Sequence, residues 1–552
     1  MRAPGGLFVA ALRLDRWPAT RVRQRARRAL ELEVAGFLLF GGSAEEVSRL
    51  TRWLREEAGR ALLLAADLER GAGQQFRGAT RLPPPAALAA HPDPEKAVRA
   101  AARLTAEQAR ELGINWVLAP VLDLDAEPRN PIVGTRSFGA DPERVAELGR
   151  LWVQSCQRAG VACCAKHFPG HGRTTTDSHT ELPVVTASRE RMEADLVPFG
   201  RVADCVESVM TAHVAYPALG ASGPAALSEP LLRGLLRRDL GFRGLVVTDA
   251  LIMAGFRSRA GREAAPSEDA GAVESDRPSE GALMARAVAA GCDLLLYPRA
   301  LRQAVSGLER AVAEDSELAR AASRSLRRIG EFARRVDEGT GGREQGAGGR
   351  VPKPGGRGTG GREARPGQGS QRLALGLAVE SLRAVGPVPG FDREGPTEIL
   401  GFGRRADGPP GAGEELEGGE MEERGGPGAA FADELGTLGW QAVSVVCPPV
   451  GDTALGAGRE GGGPTPPRRT SEGKQRIVVL GWPPRAWSGG AEPDAELCGA
   501  IRRTASGEVP RWIVVLGHPR ILAKIGAPGL CAWSDGPLME RAAARWLNAR
   551  IG

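Results

Sequence analysis

Residues 166 to 181 read Lys-His-Phe-Pro-Gly-His-Gly-Arg-Thr-Thr-Thr-Asp-Ser-His-Thr-Glu and gather three of the chain's six histidines with an aspartate in one loop. In Asp177-Ser-His179 the carboxylate can hold one ring nitrogen of the histidine while the other moves a proton, which is the orienting logic of an acid/base dyad. Asp-x-His triplets also arise by chance in loops, so the context has to decide. The stretch Gly160-Val-Ala-Cys-Cys-Ala165 is apolar and strand-like, and the polar cluster starts where it ends. In parallel α/β folds, sites sit at that end of a strand. A metal reading of His167, His171 and His179 is opposed by Pro169 and Gly170, which break the helix that would put residues four apart on one face. Cys163 and Cys164 lack the C-x-x-C spacing of a zinc site, so no metal is expected.

The elements that must position this loop are legible as eight apolar runs before residue 300: Gly6 to Leu12, Gly36 to Gly42, Ala61 to Glu69, Trp116 to Asp125, Gly160 to His167, Ser208 to Pro217, Gly244 to Leu251 and Asp293 to Pro298. Between them lie segments of helical periodicity such as 93–112, 141–159 and 228–240. Eight strand-helix repeats predict a (β/α)8 barrel of the TIM type. Polar residues recur at the ends of the runs: Asp67 and Glu69, Asp123, Lys166 with His167, His213, and Asp249. Each alone can be a helix cap or a solvated loop residue. Together they predict one polar pocket at the C-terminal rim.

With 552 residues the chain is too long for one core. We expect a catalytic barrel over 1–336, a Gly/Arg/Pro-rich linker over 337–373 and a second, sandwich-like α/β domain over 374–552. The runs Glu398-Ile-Leu-Gly, Ala442 to Cys447, Arg476 to Gly481 and Trp512 to Gly517 supply strands of that domain, with Gly-rich insertions between them. These insertions offer no Walker lysine and no strand-framed G-x-G-x-x-G, so no phosphate loop is expected. The polar insertion 256–280 reads as a mobile loop near the rim.

Basic and acidic residues (73 against 67) are interspersed, aromatics are 5%, and no basic stripe with stacking rings stands out, so nucleic acid is not an expected partner. Lys166 is one of only five lysines among the 73 basic residues, which singles it out beside His167. Cys163, Cys292 and Cys447 lie inside apolar runs, where cysteine acts as a small buried hydrophobe, and a reducing compartment fits. The N-terminal apolar run is too short for a signal peptide and no run reaches membrane-spanning length, so the expected location is cytoplasmic.

The motifs Asp67-Leu-Glu-Arg-Gly71, Leu118-Ala-Pro-Val-Leu-Asp123, Asn130-Pro-Ile-Val-Gly-Thr-Arg-Ser-Phe138, Lys166-His-Phe-Pro-Gly-His-Gly172 with Asp177-Ser-His179, Met210-Thr-Ala-His213 and Val247-Thr-Asp-Ala-Leu251 occur in this order. In them the chain resembles glycoside hydrolase family 3, in its β-N-acetylhexosaminidase (N-acetylglucosaminidase) branch. The C-terminal domain resembles the family's α/β sandwich more loosely, through Val514-Val-Leu-Gly-His-Pro519 and Cys531-Ala-Trp-Ser534. The resemblance implies a retaining hydrolase of terminal β-linked N-acetylglucosamine. It implies Asp249 as nucleophile, His179 as general acid/base supported by Asp177, and Asp67, Arg136, Lys166 and His167 as sugar-binding residues. No cofactor is implied. The implied substrate is a carbohydrate, either a muropeptide or a chitin fragment, with peptidoglycan recycling as a setting. Two departures stand out: position 70, glycine in many relatives of this branch, is arginine, and Gly-rich insertions dilute the second domain. A histidine acid/base does not repel inorganic phosphate as a carboxylate would, so a phosphorylase is the nearest alternative. A β-glucosidase and a catalytically inactive sugar-binding barrel follow it.

Overall fold

The computed structural model describes residues 4–178, 181–257, 279–339, 368–385, 397–403, 429–438, 443–446, 475–481, 511–516, 529–533 and 537–551. Most of the 256–280 insertion, most of the 337–373 linker and His179 lie outside these residues.

The eight apolar runs form eight parallel strands: β1 (Phe8–Arg13), β2 (Gly36–Phe40), β3 (Leu63–Ala66), β4 (Trp116–Val117), β5 (Ala162–Phe168), β6 (Ser208–Thr211), β7 (Leu245–Thr248) and β8 (Leu295–Leu296). They pair in sequence order, β8 returns to β1, and a parallel bridge from Val247 to Leu294 closes the ring. The strands read as continuous apolar runs because both of their faces are buried, one in the barrel and one under the helices. The predicted helical segments are helical over 94–111, 142–158 and, as a π-helix, 230–239. Asp93 and Asp141 cap the first two by accepting the backbone N–H three residues on.

The opposite, N-terminal end of the barrel is closed by helix 316–339. Buried Asp293 accepts from Ser325 at 2.7 Å, Arg328 at 2.9 Å, Arg237 at 2.6 Å and the Val246 N–H at 3.0 Å. This satisfied aspartate is structural and lies away from the rim, so the fold separates it from the carboxylates at the other strand ends.

The second sheet has six strands in the order β11-β10-β12-β13-β14-β9, where β9 is Arg383–Val385, β10 Thr397–Gly403, β11 Val443–Val446, β12 Gln475–Gly481, β13 Arg511–Leu516 and β14 Gly529–Cys531. Only β9 runs antiparallel. Helices 368–380, 429–437 and 537–551 accompany the sheet. Ala86 and Ala87, on a short helix of the barrel, share a buried cluster with Ala378, Phe431 and Trp546, and His91 meets Glu380 at 2.8 Å.

Candidate active site

Five strand ends carry the polar groups, His213 following β6. β3 runs directly into Asp67 and Glu69. β5 ends in Lys166, His167 and Phe168. Asp123 follows β4, held beside β5 by the Leu122 N–H to Lys166 C=O bond at 2.7 Å. Asp249 follows Thr248 of β7, whose hydroxyl accepts the Leu296 N–H of β8 at 3.0 Å.

The first cluster is an ion network. Lys166 Nζ reaches Asp67 Oδ1 at 2.6 Å and Glu69 Oε1 at 2.7 Å. Arg136 donates from Nε and Nη2, one edge of its guanidinium, to the two oxygens of Glu69, at 2.9 and 2.8 Å. Asn130 fixes the short turn that carries Arg136: its carbonyl oxygen accepts the Ile132 and Val133 N–H groups, and its amide donates to His171 C=O and the Thr174 hydroxyl. The side chain of Glu69 is 3% exposed and that of Asp67 26%, so Glu69 is the buried counterion while Asp67 keeps oxygen surface toward the open rim. Burial alone would raise the Glu69 carboxyl, but Arg136 and Lys166 outweigh it and hold it well below the usual range. Held ionised between two cations, Glu69 is no proton donor at neutral pH. Burial opposes the charge on Lys166, yet Asp67 and Glu69 raise it above its ordinary value.

The second cluster centres on Asp123, fully buried. It accepts from His167 Nδ1 at 2.7 Å and from the backbone N–H of His167 at 3.2 Å and of His171 at 2.7 Å. His167 and His171 hold its carboxyl below the ordinary range in spite of burial. A carboxylate partner fixes the proton of His167 on Nδ1 and leaves Nε2 as the other ring nitrogen. His171 faces Thr174 Oγ1 at 2.9 Å and Ser178 Oγ at 3.1 Å, so both its nitrogens are engaged by hydroxyls. Burial pushes it down to about 4, against the pull of Asp123, and it is neutral at pH 7. His171 thus braces the loop that delivers Asp177. Among the described residues no group of three His, Cys, Asp or Glu is placed to hold a metal ion.

The third cluster surrounds Asp249. Its Oδ1 accepts the Ala250 N–H at 2.7 Å, and the Ala250 carbonyl faces His213 Nε2 at 3.2 Å. The His213 ring packs on Phe256 with centroids 4.8 Å apart. Burial lowers its pKa against the pull of Asp249, which leaves a neutral ring donating from Nε2. Asp177 is 7% exposed. Ser178 is tied to the segment following Asp249: the Gly255 N–H donates to Ser178 C=O at 3.0 Å. A Cβ on Gly255 would meet the Ser178 carbonyl at 2.6 Å and that of Glu181 at 2.8 Å, so this close approach requires glycine. Ser178, next to Asp177, therefore lies against the segment that follows Asp249.

Of the residues singled out from sequence, the structure brings Asp67, Arg136 and Lys166 into one network, sets His167 on Asp123 and buries Asp177 in the adjoining loop. His179 lies outside the described residues. The sequence reading placed Glu69 and Asp123 among the rim carboxylates but gave neither a partner. The signal was a second carboxylate two residues after Asp67, and one at the end of the β4 run.

The glycosyl hydrolase family 3 N-terminal domain matches residues 12–331. A β-N-acetylglucosaminidase/β-glucosidase of Cellulomonas fimi is 36% identical over 282 residues, which are 49% of this chain and 47% of that protein. A β-hexosaminidase of Pseudomonas aeruginosa (strain LESB58) is 38% identical over 261 residues, 45% of this chain and 77% of that protein. A family 3 β-N-acetylglucosaminidase of Paenibacillus sp. has the same fold, with a TM-score of 0.73 over 100% of this chain and 97% of that one at 24% identity.

Proposed function

The chain belongs to glycosyl hydrolase family 3, and from that premise we propose that it is a β-N-acetylhexosaminidase that removes terminal β-linked N-acetylglucosamine with retention of configuration. The observation that carries this reading is that Asp249 and the Asp67–Lys166–Glu69–Arg136 network stand at the C-terminal ends of strands of one barrel, Asp249 after β7 and the network after β3 and on β5. In the first step the Asp249 carboxylate attacks the anomeric carbon and forms a glycosyl ester, while His179 gives its proton to the departing aglycone oxygen. In the second step His179 takes a proton from water, the water oxygen attacks the same carbon, and the bond to Asp249 breaks. Asp177 orients His179 and stabilises its protonated form. Asp67, Arg136, Lys166 and His167 bind the sugar ring, and because Arg136 and Lys166 are held by carboxylates they present fixed donors rather than mobile charges.

This catalytic set falls within a barrel domain of residues 1–336, which we separate from the 374–552 domain by the 337–373 linker. The buried, unpaired thiols of Cys156, Cys163, Cys164 and Cys292 support a reducing compartment. Phosphorolysis is the second reading, favoured by the histidine in the acid/base position. Against it, the cations Arg136 and Lys166 are already neutralised by Asp67 and Glu69. Turnover of an aryl N-acetyl-β-glucosaminide with and without inorganic phosphate decides: free N-acetylglucosamine in both conditions is expected. A sugar 1-phosphate would replace the hydrolase by a phosphorylase, preference for the aryl glucoside by a β-glucosidase, and no turnover by a binding protein.

A further inference from the structure

The six-residue helix Pro85–Ala90 reads Pro-Ala-Ala-Leu-Ala-Ala. Alone in water a helix this short does not hold, because its few hydrogen bonds do not repay the ordering of the first turn. Its place is therefore set by what packs on it, and here two domains do. Leu88, fully buried, belongs to the barrel core. Ala86 and Ala87 are buried instead in the core of the second domain, with Ala378, Phe431 and Trp546, and Ala90 packs against that cluster.

A polar contact stands beside the apolar one. His91 follows the helix, and its Nδ1 accepts the Asp93 N–H at 2.9 Å. Its proton therefore sits on Nε2, which donates to Glu380 at 2.8 Å. Glu380 ends helix 368–380, and the next residue, Ser381, is fastened to the second domain by Trp533 Nε1, which donates to its carbonyl at 2.9 Å. Asp93 in turn caps helix 94–111 of the barrel. The second domain thus grips both the short helix and the residue that leads from it into the next one.

Helix 85–90 also borders the site on two sides. It lies against the turn 134–136, which carries Arg136. Along the chain it follows the loop that starts at Asp67 and Glu69, and the Leu82 N–H, just before the helix, donates to Arg70 C=O, just after Glu69, at 2.7 Å. Glu69 and Arg136 are the two halves of one buried ion pair, so a single helix adjoins the supports of both. Asp249 stands across the ring, after β7.

We propose that the second domain is a positioning element of the sugar-binding site: by clamping helix 85–90 through Ala86, Ala87 and His91 it fixes the Glu69–Arg136 pair. It acts on substrate binding and leaves bond cleavage at Asp249 untouched. The proposal rests on the glycosidase reading, in which Arg136 binds the sugar, and gives a task to the domain that supplies no member of the proposed catalytic set.

The test is Ala87→Glu in the full chain, which puts a charge into the interface at a fully buried position. With an aryl N-acetyl-β-glucosaminide, KM is expected to rise about tenfold while kcat stays within about twofold, the signature of lost binding without lost transition-state stabilisation. Hydrogen exchange read by mass spectrometry should quicken in the peptides covering 85–90 and 132–137 and stay native in those covering β1 and β8. If Ala87→Glu does not fold, Glu380→Ala, at a position 61% exposed, should still raise KM by about threefold and quicken the same two peptides, as the loss of one exposed contact allows. A chain that turns over no N-acetylglucosaminide would sink the glycosidase reading, and exchange over 132–137 would still decide whether the second domain holds this turn. Native exchange over 132–137, a native KM in the folded variants, or a fall in kcat at constant KM would overturn the proposal.

Discussion

Replacing Glu69 by glutamine keeps the shape of the side chain and removes the charge that two cations share. In the native network Glu69 takes two bonds from Arg136, at 2.9 and 2.8 Å, and one from Lys166, at 2.7 Å, with 3% of its side chain exposed. Removing one partner of a buried ion pair costs about 3–5 kcal/mol. Asp67 still holds Lys166 at 2.6 Å and the Arg136 side chain is 25% exposed, so the lower end, about 3 kcal/mol, is expected for the barrel's unfolding transition in urea at pH 7. The folded carboxyl lies well below its unfolded value of about 4.3. Its stabilisation is therefore complete above the unfolded pKa and is lost as pH falls toward the folded one. The difference between native chain and Glu69→Gln should stay flat from about pH 5 to 9 and shrink only on acidification below about pH 4. Because Arg136 loses its carboxylate partner and Lys166 one of its two, and both are proposed to bind the sugar, kcat/KM should fall roughly a hundredfold, as a displacement of about 1 Å can cause. Asp67→Asn, at the more exposed end of the network, should weaken substrate binding with a smaller stability loss. A stability difference under about 1 kcal/mol for Glu69→Gln, or one that grows on acidification, would refute the buried-counterion account.

The remaining expectations concern histidines. His179→Ala should cripple cleavage of a disaccharide far more than that of an aryl glycoside with an acidic phenol, and azide should rescue the latter as a glycosyl azide, because protonation matters most for a poor leaving group. Equal slowing of both substrates without azide rescue would move the proton donor elsewhere. His171, pushed down to about 4 by burial, refuses a proton that the unfolded chain accepts near pH 6.5, so its neutral burial should cost the fold stability as pH falls from 6.5 toward 4, by up to about 3 kcal/mol. His171→Gln should flatten that part of the stability profile. A variant with an unchanged profile would show that His171 is protonated in the folded state.

The barrel was legible because each parallel strand is buried on both faces and is punctuated by glycine, proline or a polar rim residue. The stretches at 6–12, 36–42 and 160–167 could hardly be other elements. The second sheet was legible only in its long central strands. β9 and β14, three residues each, carry no period to recognise, and β9 pairs with β14 across more than a hundred residues of chain. At the site, residue type and position at a strand end located the polar groups, but not how they divide the work. Nothing in Asp67-Leu-Glu69 tells which carboxylate is the buried counterion, since this depends on Arg136, which a loop brings back from after β4. Likewise His167 and His171 share one motif, yet Asp123 takes the first ring and two hydroxyls take the second. Such pairings are set by tertiary contact and leave no trace in spacing.

The central claim, that Asp249 forms a covalent bond to the sugar, is tested most directly by inactivating the full chain with a 2-fluoro-substituted activated glycoside and sequencing the labelled peptide by mass spectrometry. The account predicts time-dependent inactivation, a single adduct on Asp249 in the peptide containing Val247-Thr-Asp249, and no adduct in Asp249→Asn, which should keep less than a few per cent of the native turnover. An adduct on any other residue, or turnover by Asp249→Asn comparable to that of the native chain, would contradict it.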